Sequence, residues 1–256
     1  MKKFYTICLV LAFFATFANL IANDNSERQS SFSVSLSQDP QLGFYPAITG
    51  SIPIGEKTDL TFYGIFWTQD ILAGNQGGLN LLTEFGFGVN FSLLDGALNI
   101  NPSLGFCHGN YASGGGKAVI GDNIVPSLFI GYSENDFNLN FATYYYNYLR
   151  KESKKNPLIH LFEYVFKTNY NFSKYLNAGI FYDHYLYANN YSFIDPNKDK
   201  IKFNTVYCAV GPEIKLSFKE NASVAFAIGP DFADYFNKAD NKKIKDYYKL
   251  STFISF

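Results

Sequence analysis

The sequence predicts an all-β protein, a transmembrane antiparallel up-and-down β-barrel of about twelve strands. Three observations carry that prediction. Aromatic and small residues dominate, with 27 Phe, 20 Tyr and 20 Gly among 256 residues, while the charged fraction of 17% lies below the ~25% usual in soluble domains. Apolar residues recur at every second position along runs of about ten residues or more, the period of a strand with one greasy face. Short polar turns alternate with long loops down the chain, so the strands form hairpins whose two ends differ in kind.

The chain begins with Lys2 and Lys3, an apolar run from Phe4 to Phe17, and the small residues Ala15, Thr16, Ala18 and Ala22. This is the pattern of a secretory signal peptide over residues 1–22, cut after about Ala18 or Ala22, and the run is shorter than the ~20 residues a spanning helix needs. Residues 23–256 then form one barrel domain. Losing Lys2 and Lys3 takes the formal charge from -1 to about -3, which offers no basic surface for nucleic acid. Cys8 leaves with the signal. Cys107 and Cys208 remain in separate predicted strands, where small apolar filler is the expected role and a disulfide the other possibility. After Ala22 no apolar run is long enough for a membrane helix, which leaves strands as the only way across.

The first hairpin is predicted from Phe32 to Ser37 and from Phe44 to Ile54, across Gln38 to Gly43. Short turns follow at Gly55–Thr58, Asp95–Gly96, Glu134–Asp136, Phe172–Lys174 and Lys219–Asn221. Asp-Gly is among the strongest two-residue hairpin signals, because its backbone accepts positive φ at both positions. Between these turns lie long connections at about Gln69–Asn80, Gly109–Asp122, Arg150–Pro157, Ala188–Lys200 and Ala233–Lys245. The stretch "LLTEFGFGVNFSL" shows the period well: Leu81, Phe85, Phe87, Val89, Phe91 and Leu93 alternate with Glu84, Gly86, Gly88, Asn90 and Ser92. A repeat of roughly 40 residues would suit a propeller blade only if it held four short strands, and here it holds two long ones.

In hydrocarbon every backbone donor and acceptor must be paired, so a sheet crosses a membrane only when it closes and loses its edges. Bacterial barrels of this kind have an even number of strands, short turns at the periplasmic end and long loops outside. The chain ends on "YYKLSTFISF", with Tyr248, Leu250, Ile254 and Phe256 on one parity. That ending resembles the C-terminal signature of bacterial outer-membrane barrels, the segment read by their assembly machinery. Thr252 and Phe253 depart mildly from the pattern. The resemblance implies location in a bacterial outer membrane after signal cleavage, with the barrel assembly machinery and outer-membrane lipid as partners. A secreted β-sandwich would also alternate, but with shorter strands and turns every ~8–12 residues.

Few residues suggest catalysis. His108 lies near Ser113 at a loop, and His160 and His184 lie in strands thick with Phe and Tyr, where an aromatic belt at the membrane surface is the ordinary setting. An outer-membrane phospholipase carries a compact His, Ser and Asn group, but here Leu186 stands where its nucleophilic Ser would follow His184. Gly114, Gly115, Gly116 and Lys117 imitate a phosphate-binding loop, yet Tyr111 and Ala118 replace two of the motif's required residues. No catalytic, cofactor or metal motif is expected, and the protein is not read as an enzyme.

The polar face is more telling. It holds Glu84, Glu163, Lys167, Asp183, Glu213, Lys215, Asp231 and Lys249, together with Asn99, Asn101, Asn138, Asn140 and Asn204. A cation near the bilayer midplane costs ~2–4 kcal/mol on the lipid face, so these residues are expected to line the lumen. About twelve strands lie between barrels filled by side chains and the sixteen-stranded porins with an aqueous pore. The expected function is a passive channel for small polar solutes. Two alternatives stay open: a non-conducting structural or adhesive barrel, and a lipid-active hydrolase. Lysines in the long loops, among them Lys151, Lys154, Lys155, Lys242 and Lys243, suggest contact with lipopolysaccharide phosphates or plain solvated loops.

Overall fold

The protein, described by a computed structural model, is a closed barrel of twelve antiparallel strands. Residues 28–40, 42–68, 81–109, 123–148, 158–189, 202–219, 221–237 and 242–256 are described; the segment expected to be a signal peptide and most of the long connections lie outside them. The strands are β1 Ser31–Asp39, β2 Gly43–Gly55, β3 Thr58–Thr68, β4 Leu81–Leu93, β5 Leu98–Gly109, β6 Asn123–Glu134, β7 Phe137–Tyr148, β8 Leu158–Asn171, β9 Leu176–Asn189, β10 Lys202–Lys219, β11 Ala222–Asp231 and β12 Lys245–Ser255. Each pairs with its sequence neighbours, and β12 returns to β1, with Ser33 opposite Ser255 and Gln38 opposite Leu250. The final residue extends that seam: the Phe256 N–H donates to the Phe32 carbonyl at 2.8 Å.

The predicted short turns connect the strands at one end of the barrel. Asp95 and Gly96 have φ of 53° and 92°, and Asn135 has φ of 53°, the left-handed conformations that Asp, Asn and Gly tolerate best. The first hairpin is tighter than the sequence suggests. Its strands run on to Asp39 and start again at Gly43, because Asp39 Oδ1 accepts the Leu42 N–H at 2.6 Å and closes the turn itself. A β-bulge between Thr205 and Tyr207 in β10 changes the parity, so that Asn204, opposite Tyr187, and Glu213, opposite Gly179, both fall on the inner face. The last connection contains a one-turn helix, Ala233–Phe236. Its Phe236 ring lies 5.2 Å from His184, and Asn237 binds both backbone polar groups of Thr205, at 2.7 and 2.8 Å.

Alternation sorts the side chains into two environments. Outward residues such as Leu36, Ile52, Phe87, Phe166, Ile180, Leu216, Phe226 and Leu250 are exposed all round the cylinder, whereas the buried positions are mixed polar and aromatic. A continuous apolar exterior on a sheet with no edges is the face that hydrocarbon covers. Among the described residues no helix is long and apolar enough to cross a membrane, so the crossing is made by strands.

Candidate functional site

The closed sheet encloses the barrel interior, and its two halves differ. In the half toward the long loops the side chains pack together. Tyr185 stacks on Tyr207 at 5.6 Å, Tyr207 on Tyr247 at 5.4 Å, and Phe181 tilts against Tyr247 at 5.6 Å. A second cluster, Cys107, Val125, Tyr146 and Leu161, meets the first through Tyr185. Tyr207 and Tyr247 are each only 1% exposed. A phenol suits this place because its ring packs as an apolar plate while its hydroxyl still needs a partner.

Those partners are the carboxylates. Tyr63 donates to Glu84 Oε1 at 2.7 Å, Tyr247 to Asp183 Oδ2 at 3.3 Å, and Tyr207 to Glu163 Oε1 at 3.5 Å. Lys249 Nζ lies 3.9 Å from Asp183 Oδ2 and 5.5 Å from the centre of the Tyr45 ring, which in turn packs on Trp67 at 4.7 Å. The result is a girdle of rings and charges that reaches round the interior. Burying charges is costly unless they are paired and hydrogen-bonded; here each carboxylate has a phenol within reach, and Asp183 also has the Lys249 ammonium. Several buried polar atoms, Asp183 Oδ1, Asn123 Oδ1 and Asn169 Oδ1 among them, have no hydrogen-bond partner among the described residues.

Tyr63 reaches Glu84 only because the strands beside it carry glycine. A Cβ at Gly105 would lie 2.2 Å from the Tyr63 hydroxyl, and one at Gly86 would lie 2.4 Å from its ring. The two glycines make a shelf across which the phenol lies flat.

The half toward the short turns is an open chamber with a cavity of about 500 Å³, its lining a mixture of Ser, Thr and Asn with Phe, Ile and Val. Hydroxyls and carboxamides pair across its walls: Ser33 with Thr49 at 2.6 Å, Ser103 with Ser127 at 2.7 Å, Thr61 donating to Asn101 at 3.2 Å, and Asn90 to Asn99 at 3.2 Å. Tyr63 and Tyr144, from the edge of the girdle, form its floor. At the mouth, Arg28 makes a two-pronged pair with Asp59 at 2.7 and 2.8 Å and also binds the Gly55 and Glu56 carbonyls.

The eight charged residues expected on the polar face are distributed as follows. Glu84, Glu163, Asp183 and Lys249 belong to the girdle. Lys167 is ion-paired with Glu213 at the chamber wall. Lys215 lines a second cavity of about 490 Å³ at the turn end, beside Lys174 and Asp136. Asp231 is buried and engaged with backbone: its Oδ1 accepts the N–H groups of Cys208 and Ala233, both at 2.9 Å, and so starts the one-turn helix. At the C-terminus Tyr248, Leu250, Ile254 and Phe256 all lie on the exposed apolar face, while Phe253 has the parity of the interior, opposite Ser35.

Cys107 and Cys208 are free and buried; Cys107 faces Glu84 Oε2 at 3.5 Å and Cys208 faces the Tyr182 hydroxyl at 3.8 Å. His184 Nδ1 bonds Tyr182 at 3.0 Å and its Nε2 bonds Thr205 at 3.2 Å, and His160 Nδ1 bonds Tyr145 at 2.7 Å. Ser113, Ser192, the glycine-rich loop and the lysines of the middle loops lie outside the described residues. Of the last loop, Lys245 reaches Asp234 at 3.4 Å and Lys242 sits over the Tyr235 ring at 5.4 Å. Among the described residues no group of three or more His, Cys, Asp or Glu side chains could hold a metal ion.

Sequence reasoning missed the inward aromatic residues Tyr45, Tyr63, Tyr207 and Tyr247. Parity was the available signal, since Tyr247 shares its phase with Lys249 and Tyr63 with Asp59.

The fold is that of bacterial outer-membrane barrels. An outer membrane channel from Pseudomonas putida F1 superposes with a TM-score of 0.53 at 9% identity, covering 92% of this chain and 100% of that one. The NanC porin superposes with a TM-score of 0.51 at 8% identity, covering 87% of this chain and 98% of that one. No curated protein matches the sequence. The sequence does match the family of unknown function DUF6733 over residues 1–256, and the chain belongs to that family.

Proposed function

We propose that the protein is a passive channel for small polar solutes in a bacterial outer membrane. The observation that carries this reading is the presence of polar and charged side chains in both halves of the interior, between the apolar clusters. Ser, Thr and Asn line the turn-side chamber, and Glu84, Glu163, Asp183 and Lys249 lie among the rings beyond it. A barrel kept only as a scaffold would gain more from an apolar filling than from buried charges. Lys167, Glu213 and Lys215 are the residues a solute would meet on the turn side, and Glu84, Glu163, Asp183 and Lys249 are those it would pass where the packed rings of the girdle part, with Asp231 setting the loop-side rim. Tyr248, Leu250, Ile254 and Phe256 fit the role of assembly signal, and lipid and lipopolysaccharide the role of surroundings.

The tight packing of Tyr207 and Tyr247 favours a second reading, a barrel that does not conduct and acts through its loops. One experiment separates the two. The refolded protein is added to a planar bilayer and current is recorded at fixed voltage. The channel reading expects discrete conductance steps. A silent protein whose fold is verified by its heat-dependent gel mobility would overturn it.

A further inference from the structure

We infer that the turn-side chamber is a binding site for an uncharged polyhydroxylated solute the size of a mono- or disaccharide, an inference that adopts the channel reading for the solute's route. Its volume, about 500 Å³, falls in the ~300–1,000 Å³ range of small-molecule sites. Its walls offer Thr61, Asn90, Asn99, Asn101, Ser103 and Asn140. Hydroxyls both donate and accept, and carboxamides carry one acceptor and two donors, so this lining matches the mixed hydrogen-bonding demand of sugar hydroxyls. The floor adds the second element of such a site. Phe129 and Tyr144 meet edge to face at 5.3 Å and present ring surface to the chamber, against which the apolar C–H face of a pyranose packs.

Charge decides the class of sugar. Lys167 is the one charged residue among the described residues that line this chamber, and it is already ion-paired with Glu213. Arg28, at the mouth, is likewise occupied by Asp59. Recognition of a carboxylate or phosphate uses available Arg or Lys groups, best as a two-pronged fork. Each cation is already neutralised by a carboxylate, so an acidic sugar meets no net positive charge here. A neutral sugar needs none.

The test is titration calorimetry on the refolded barrel in a detergent without a sugar headgroup, lauryldimethylamine oxide, with maltose and glucuronate as probes. Maltose is expected to bind at least about tenfold more tightly than glucuronate, a difference of ~1.4 kcal/mol. Asn140→Ala should weaken maltose several-fold while the urea midpoint stays unchanged. Glu213→Gln, close in shape to the native side chain, should free Lys167 and raise glucuronate affinity about tenfold while leaving maltose within about twofold. No heat with maltose, or tighter glucuronate binding by the unaltered protein, would overturn the assignment. Bilayer recording of the same preparation keeps the two ideas apart. Conductance without maltose binding removes the site and leaves the channel; maltose binding without conductance leaves the site and removes the channel.

Discussion

The Tyr63 hydroxyl donates a 2.7 Å hydrogen bond to Glu84 Oε1 inside the barrel, and two glycines opposite make room for it. Glu84 is 1% exposed, so this bond answers a carboxylate that bulk water does not reach. Tyr63→Phe should therefore destabilise the barrel by ~1–3 kcal/mol, read as a lower urea midpoint in lipid vesicles. Gly105→Ala, which drives a methyl into the phenol oxygen, should cost a similar amount alone. In a Tyr63→Phe background it should cost clearly less, since the atom it strikes is gone. Additive losses would mean that Gly105 matters for some other reason.

Lys249 is the cation placed nearest Asp183, which also accepts from Tyr247. Lys249→Met leaves that buried carboxylate without its nearest cation, and the expected cost is ~3–5 kcal/mol. Adding Asp183→Asn should restore part of the loss. Equal stability of the single and double variants would show that the pair is uncoupled.

The outward face of β11 carries Phe226, 45% exposed, midway along the strand. Phe226→Arg should lower stability by ~2–4 kcal/mol, the cost of a cation near the middle of the hydrocarbon. Ser51→Lys, on the chamber side of β2, should change it by ~0.5 kcal/mol or less. The contrast between the two faces is the readout, and equal losses would contradict the assignment of inside and outside.

Most of the strand framework is legible in the sequence because a two-residue period survives wherever one face meets lipid and the other meets water or polar side chains. The turns are legible where the backbone demands Asp, Asn or Gly, as at Asp95–Gly96. The girdle is not. Tyrosine satisfies an apolar and a polar position equally, so Tyr207 reads as part of the greasy set until the bulge at Thr205–Tyr207 is known. The pairing of Lys167 with Glu213 joins β8 to β10 across the intervening strand, a relationship set by barrel tilt that residue spacing does not reveal. The chamber is legible only in part, since alternation gives its Ser, Thr and Asn lining but not that these residues share one end.

The C-terminal residue pairs with Phe32 and its ring lies 6.0 Å from that side chain, at the seam where β12 meets β1. Phe256→Ser should reduce the folded protein recovered from outer membranes several-fold, while refolding into detergent proceeds as before. Equal loss in both would point to a packing role in place of an assembly signal.

On the channel reading, solutes cross through the interior and the stacked Tyr207 and Tyr247 rings set its narrowest part. Single-channel conductance of the unaltered protein against Tyr207→Ala combined with Tyr247→Ala tests it most directly. Discrete steps are expected in both, clearly larger in the variant; equal conductance would contradict the constriction, and silence in both folded proteins would contradict the channel.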